Sequence, residues 1–143
     1  MDASQDALNE LTLVATIPDL LRLADYLELG LIFIANRKVR ETSHNCFCRI
    51  DQSGQIGGCA LAVAEIGRIG DPDRAFDDFR HEHDKLGNNL TEEDTIKLFA
   101  YRIAIEIAFA RAVYYIHKDK LSVVDIIAVL RAAAFGFSTP FTR

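Results

Sequence analysis

Between Ile96 and Ile116 the chain is apolar at most positions, and four charges, Lys97, Arg102, Glu106 and Arg111, interrupt the run. A charge at the centre of a hydrocarbon span costs roughly 2.5–3.5 kcal/mol, so the run is not a membrane helix. Thr91-Glu92-Glu93-Asp94 ahead of it has capping-box form, which predicts one long helix from there to about Ile116. Ile96, Phe99, Ile103, Ile107, Ala110 and Tyr114 form one face of that helix, while Ile105, Phe109 and Ala112 lie off it. A helix apolar around most of its circumference is either central in its domain or shared with a second subunit. Arg102 stands one turn before Glu106, which predicts a salt bridge on the narrow polar face; a buried Glu106 would be the functional reading.

Other helix signals flank this one. Thr16-Ile17-Pro18-Asp19 offers a cap, a first-turn proline and a first-turn carboxylate. Ile17, Leu20, Leu21, Ala24 and Leu27 then recur at helical spacing, and Gly30 reads as the stop. Residues 8–15 fit either a helix or a short strand. Leu31 to Ala35 and Cys46 to Ile50 read as strands, and Asp51-Gln52-Ser53-Gly54 supplies turn residues for a hairpin ending near Ile56. Gly57-Gly58 leads into a short helix over Cys59 to Ile66, ended by Gly67. Asp73 to Leu86 is helical, with Phe76, Phe79, His83 and Leu86 on one stripe. Ser122-Val123-Val124-Asp125 opens a last helix running to Gly136, and Phe137 to Arg143 is expected to be extended. The expected fold is α+β: a predominantly helical single domain over 1–143 with a small β-hairpin near residues 31–56.

A length of 143 residues suits one core, and 50% hydrophobic with 26% charged residues is globular composition. Lys+Arg 16 against Asp+Glu 21 gives a net charge of −5. An acidic domain has no overall attraction for phosphate backbones or anionic lipid. Arg37-Lys38-Val39-Arg40 is the densest basic run, but Glu41 follows it and no aromatic side chain is interleaved, so no nucleic-acid or membrane partner is expected. The acidic start, Met1 to Asp6, lacks the basic region of a secretory signal. Three cysteines, an odd number, read as reduced thiols of a cytoplasmic protein.

Leu20-Leu21-Arg22-Leu23-Ala24-Asp25-Tyr26 ahead of a glycine resembles the opening of a family of small bacterial and phage proteins of unknown function. In that family a polar, Gly-containing turn precedes a Cys-Ala-Leu-Gly-Ala helix; Asp51-Gln52-Ser53-Gly54 and Gly58-Cys59-Ala60-Leu61-Ala62 are the counterparts here. The family closes with a helix, a short polar turn and an Ile/Leu-rich helix, matched by Ile116 to Ser122 and Val124 to Ala132. Ala62 replaces the family's glycine, His117-Lys118 stands where Asn-Asp is usual, and Asp71 to Asp84 has no counterpart. The resemblance implies a fold and a phage or mobile-element setting, and no activity.

Three constellations could carry chemistry. Cys59, at a helix start behind two glycines, would have its thiolate favoured by backbone N–H groups, as a cysteine hydrolase needs, with His44, His81, His83 or His117 as base. The other reading of Cys59 is an apolar core residue. His44, Cys46, Cys48 and Cys59 have the ligand types of a zinc site, though not the usual knuckle spacing. Asp73, Asp77, His81 and Asp84 share one helix face, which suits Mn²⁺ or Mg²⁺ weakly; with Asp78 they could instead recruit a basic protein partner, or be a solvated face. The leading expectation is a non-enzymatic protein-interaction or regulatory protein without a cofactor, able to form a homodimer. A Cys59 hydrolase and a zinc-stabilised binding module are the alternatives.

Overall fold

In a computed structural model the protein is a helical assembly; the structure describes residues 3–35, 40, 41, 47–49, 56–87, 89–119 and 121–138. Seven helices make up most of the described residues: α1 (Ala3–Val14), α2 (Ile17–Ala35), α3 (Ala60–Ile69), α4 (Pro72–Lys85), α5 (Glu92–Ile103), α6 (Ile107–Asp119) and α7 (Val123–Ser138). The class is therefore all-α, and the expected α+β class with a hairpin near residues 31–56 is corrected. Leu31 to Ala35 is the last part of α2, not a strand. Among the described residues, extended pairing is confined to segments of two or three residues, β1 (Arg40–Glu41), β2 (Phe47–Arg49) and β3 (Ile56–Gly58). They are ordered β1-β3-β2, with Arg40↔Gly57 parallel and Cys48↔Gly57 antiparallel. Pieces this short form no layer of the fold.

The centre of the molecule is α3, not the apolar run at 96–116. Every residue from Ala60 to Gly67 is buried. Around it α2, α4, α5 and α6 pack directly, while α7 lies against α1 and α2. Gly30 and Gly67, expected to stop helices, lie inside them. They let α2 and α3 approach: a methyl on Gly30 would collide with the Val63 carbonyl, and one on Gly67 with the Tyr26 carbonyl. These pairings, 30 with 63 and 26 with 67, run in opposite senses, so the two helices are antiparallel. The stop of α3 is Gly70, which takes φ 90° and donates its N–H to the Ile66 carbonyl at 2.7 Å.

The long helix expected over 92–116 is two helices. Ala104 adopts the left-handed conformation, φ 63° and ψ 51°, and Ile105 donates its N–H back to the Ala100 carbonyl at 3.0 Å. For a residue with a Cβ this conformation costs roughly 1–2 kcal/mol. Partners from α2 offset it. Arg22 Nη1 donates to the Ala104 carbonyl at 2.7 Å, and the buried Asp19 accepts the Glu106 N–H at 3.3 Å. Asp19 and Arg22 are themselves paired at 3.2 Å. Asp19 thus caps α6 from another helix, satisfying a donor that a helix start leaves spare.

The sequence caps otherwise form as written. Thr91 Oγ1 accepts from Asp94 N at 3.1 Å while Asp94 accepts from Thr91 N at 3.0 Å. Ser122 accepts the N–H of Asp125, and at a helix start not read from the sequence Asp71 accepts the N–H groups of Asp73 and Arg74, with Pro72 in the first turn. Phe47 of β2 is buried against Phe76, Phe79 and Phe99, which pins the extended segment to α4 and α5.

Candidate functional site

Cys59 is the N-cap residue of α3, and its side chain makes no capping hydrogen bond. It is 1% exposed and belongs to the main apolar cluster. A nucleophile must be reached by its substrate, so this burial suits a packing role. Of the histidines named as bases, His81 is exposed on α4, and His83 is half-buried, its ring 5.7 Å from that of Phe79. His117 is buried, with Nδ1 2.8 Å from the Leu121 carbonyl, where it ties the end of α6 to the turn that follows. His44 lies outside the described residues.

Of the zinc set, Cys46 also lies outside the described residues, and Cys48 is placed only by its backbone position in β2 opposite Gly57. No group of three His, Cys, Asp or Glu side chains fit to hold a metal ion occurs among the described residues. The acidic residues and His81 of α4 form no such group either. Asp73, Asp77, His81 and Asp84 run along the outer side of α4, which buries only Pro72, Ala75 and Phe79. Three carboxylates of α4 pair with cations of the same helix: Asp78 with Arg74 at 3.6 Å, Asp84 with Arg80 at 3.9 Å and Glu82 with Lys85 at 3.6 Å. Leu86, expected on the buried stripe, is exposed and lines a shallow groove with Leu90, Asp94, Lys97 and Leu98.

Two charged clusters were not foreseen. Arg102 pairs not with Glu106 but with the fully buried Glu65 of α3, which also accepts from Arg68 Nε at 2.6 Å. Glu106 is exposed at the start of α6. A buried carboxylate is retained only with such partners, because an unpaired one would cost several kcal/mol in desolvation. The second cluster joins α5 to α6. Glu92 accepts from Tyr114 at 2.5 Å, Tyr115 at 2.8 Å and Lys118 at 2.9 Å, and Glu93 is held by Arg111. The two hydroxyls and the ammonium hold the Glu92 carboxyl down to a pKa of about 2, and Glu92 in turn pushes the Tyr115 phenol upward. Both clusters join residues distant in sequence, so helical periodicity carried no sign of them.

The surface of α2 and α7 is of another kind. Leu21, Leu29, Ile32 and Phe33 of α2 and Val124 and Phe135 of α7 are exposed, Ile32 at 59% and Phe135 at 64%. Arg131 of α7 reaches Glu28 at 2.9 Å and Asp25 at 3.7 Å, which sets the outer rows of the two helices side by side. Between the large side chains of α7 lie Ala128 and Ala132, both exposed. Arg131 holds the Glu28 carboxyl below the usual carboxylate range, chiefly through their hydrogen bond. Asp25 and Glu28 stand between Leu21 and Leu29 on α2, and Asp125 and Arg131 between Val124 and Phe135 on α7.

No family model, curated protein or solved structure matched this chain. Among the described residues, no helix is long and apolar enough to cross a membrane.

Proposed function

We propose that this chain is a non-enzymatic protein-interaction or regulatory protein that works in the cytoplasm. The supporting observation is the number of large apolar side chains exposed on α2 and α7, two helices that Arg131 ties together through Asp25 and Glu28. Burial of Cys59 weighs in the same direction, since a thiol hydrolase needs an accessible sulfur. The laced charges of α4 leave that helix a weaker recruiting surface for a basic partner, because each paired carboxylate must be freed before it binds.

A photo-crosslinking residue placed at Ile32, and separately at Arg80 on α4, tests the reading in cells that make the protein. Discrete adducts from position 32 and none from position 80 are the expected result. If crosslinkers placed in the same way at Leu29 and Phe135, as well as at Ile32, all give no adduct, the interaction reading falls.

A further inference from the structure

We propose that the bend at Ala104 is an exchange hinge: in a second state 92–119 straightens into one rod, and α6–α7 of each copy takes its place on α1–α5 of the other. This goes beyond the interaction reading and does not depend on what the exposed side chains of α2 and α7 bind. The first ground is topology. The bend divides the molecule into α1–α5 and α6–α7, joined by three residues, Ala104 to Glu106. The second part packs on the first through α1, α2, α3 and α5. The α6–α7 part of a second copy can make the same contacts. They include those that close the angle, Glu92 with Tyr114, Tyr115 and Lys118, and Glu93 with Arg111. A closed monomer and an exchanged dimer therefore differ at the hinge and in the freedom lost on association.

The second ground is the hinge itself. Among the described residues Ala104 is the one non-glycine residue at positive φ, and its side chain is exposed. Straightening returns it to the ordinary helical conformation, where the N–H groups that follow find carbonyls four residues back. The sequence raises no obstacle. Residues 101–108, Tyr-Arg-Ile-Ala-Ile-Glu-Ile-Ala, contain no glycine or proline and no Ser, Thr, Asn or Asp to cap a new helix. Short connections under strain invite exchange between copies.

The third ground is a clasp that works in the closed state alone. Arg22 bonds the Ala104 carbonyl and Asp19 the Glu106 N–H while the chain is bent. In the rod both backbone groups have partners within the helix, and Asp19 and Arg22 keep each other at 3.2 Å. Two hydrogen bonds from α2 thus oppose the backbone strain, and protein concentration sets the balance.

The test uses the Glu92–Lys118 ion pair, 2.9 Å long, which a carbodiimide converts to an amide without a spacer. The protein is refolded from urea at about 1 μM and at about 200 μM, because exchange follows mass action. After coupling at the lower concentration it is expected at 16.0 kDa on a denaturing gel. At the higher one a fraction is expected at twice that mass, and in a mixture of ¹⁴N and ¹⁵N protein Glu92 of one copy is joined to Lys118 of the other. Glycine is about fivefold less favourable than alanine at a helical position, and the dimer has two hinges, so Ala104→Gly should weaken association at least about 25-fold. Ala104→Val, unfavourable at positive φ, and Arg22→Met, which opens the clasp, should each strengthen it about tenfold or more. Absence of a dimer at the higher concentration from the unmodified protein, Ala104→Val and Arg22→Met alike overturns the proposal. A dimer in which Glu92 and Lys118 are joined within each chain, or one that Ala104→Gly does not weaken, overturns it too.

Discussion

Gly67 lies so close to the main chain of α2 that a methyl group on it would overlap the Tyr26 carbonyl oxygen and stand 2.8 Å from the Gly30 amide nitrogen. The obstacle is backbone, which cannot rotate aside as a side chain can. Gly67→Ala should therefore destabilise the protein by about 1–3 kcal/mol, although alanine is the better helix former by up to about 1 kcal/mol. Urea denaturation of the variant should show a lower midpoint. A midpoint at or above that of the unmodified protein would mean that α2 and α3 are not this close.

Ala104→Gly should act in the opposite direction. In the bend between α5 and α6 the residue holds φ 63°, a conformation that glycine adopts without penalty. The substitution is expected to stabilise by up to about 1 kcal/mol. In a continuous helix the same change would cost about 1 kcal/mol, so the sign alone distinguishes the two geometries.

Arg102→Met leaves the buried Glu65 with Arg68 as its remaining ion-pair partner among the described residues, and Arg68 is partly open to solvent. Breaking a buried pair from one side costs about 3–5 kcal/mol, whereas apolar replacement of both partners is often neutral. The double variant Arg102→Met/Glu65→Leu should therefore unfold at a higher urea concentration than Arg102→Met alone. Simple additivity of the two single changes would sink this account of the pair.

Glu92 has a pKa of about 2 in the folded chain against an ordinary value of 4.5. A depressed carboxyl binds its proton less readily when folded, so its contribution is complete above about pH 4.5 and is lost as the pH falls towards 2. The carboxylate is partly exposed and solvent-screened, which keeps the contribution small. The difference in stability between the unmodified protein and Glu92→Gln should shrink over that interval. An unchanged difference from pH 6 to pH 2 would show that Tyr114, Tyr115 and Lys118 do not hold the carboxylate.

Cys59 should react slowly with iodoacetamide in the native protein and rapidly once urea unfolds it, since its sulfur is buried. Fast alkylation under native conditions, followed by peptide mapping to position 59, would reopen the hydrolase reading.

Helix starts were legible in the sequence because a cap is a local event. Thr91 with Asp94, Thr16 with Asp19, and Ser122 with Asp125 each act within three residues. The interruptions were not. Gly30 has the look of a terminator, yet its purpose is to admit the backbone of a helix more than thirty positions away. Leu31 to Ala35 is too short and too uniformly apolar for periodicity to separate strand from helix, and α2 simply continues through it. At Ala104 no residue signals a bend, because Ala, Ile and Glu are all compatible with a helix. Of the candidate site, the six carboxylates of 71–84 were visible by composition, while the α2–α7 face needed the tertiary pairing of Arg131 with Asp25 and Glu28.

The bend at Ala104 also carries a consequence for how the molecule comes into being. Two of its supports, Asp19 and Arg22, precede it by more than eighty residues, while Glu92 and Glu93 reach across the turn to Tyr114, Tyr115, Lys118 and Arg111. The segment 92–119 therefore carries within itself the contacts that close the angle, and the earlier helix supplies the groups that fasten its corner.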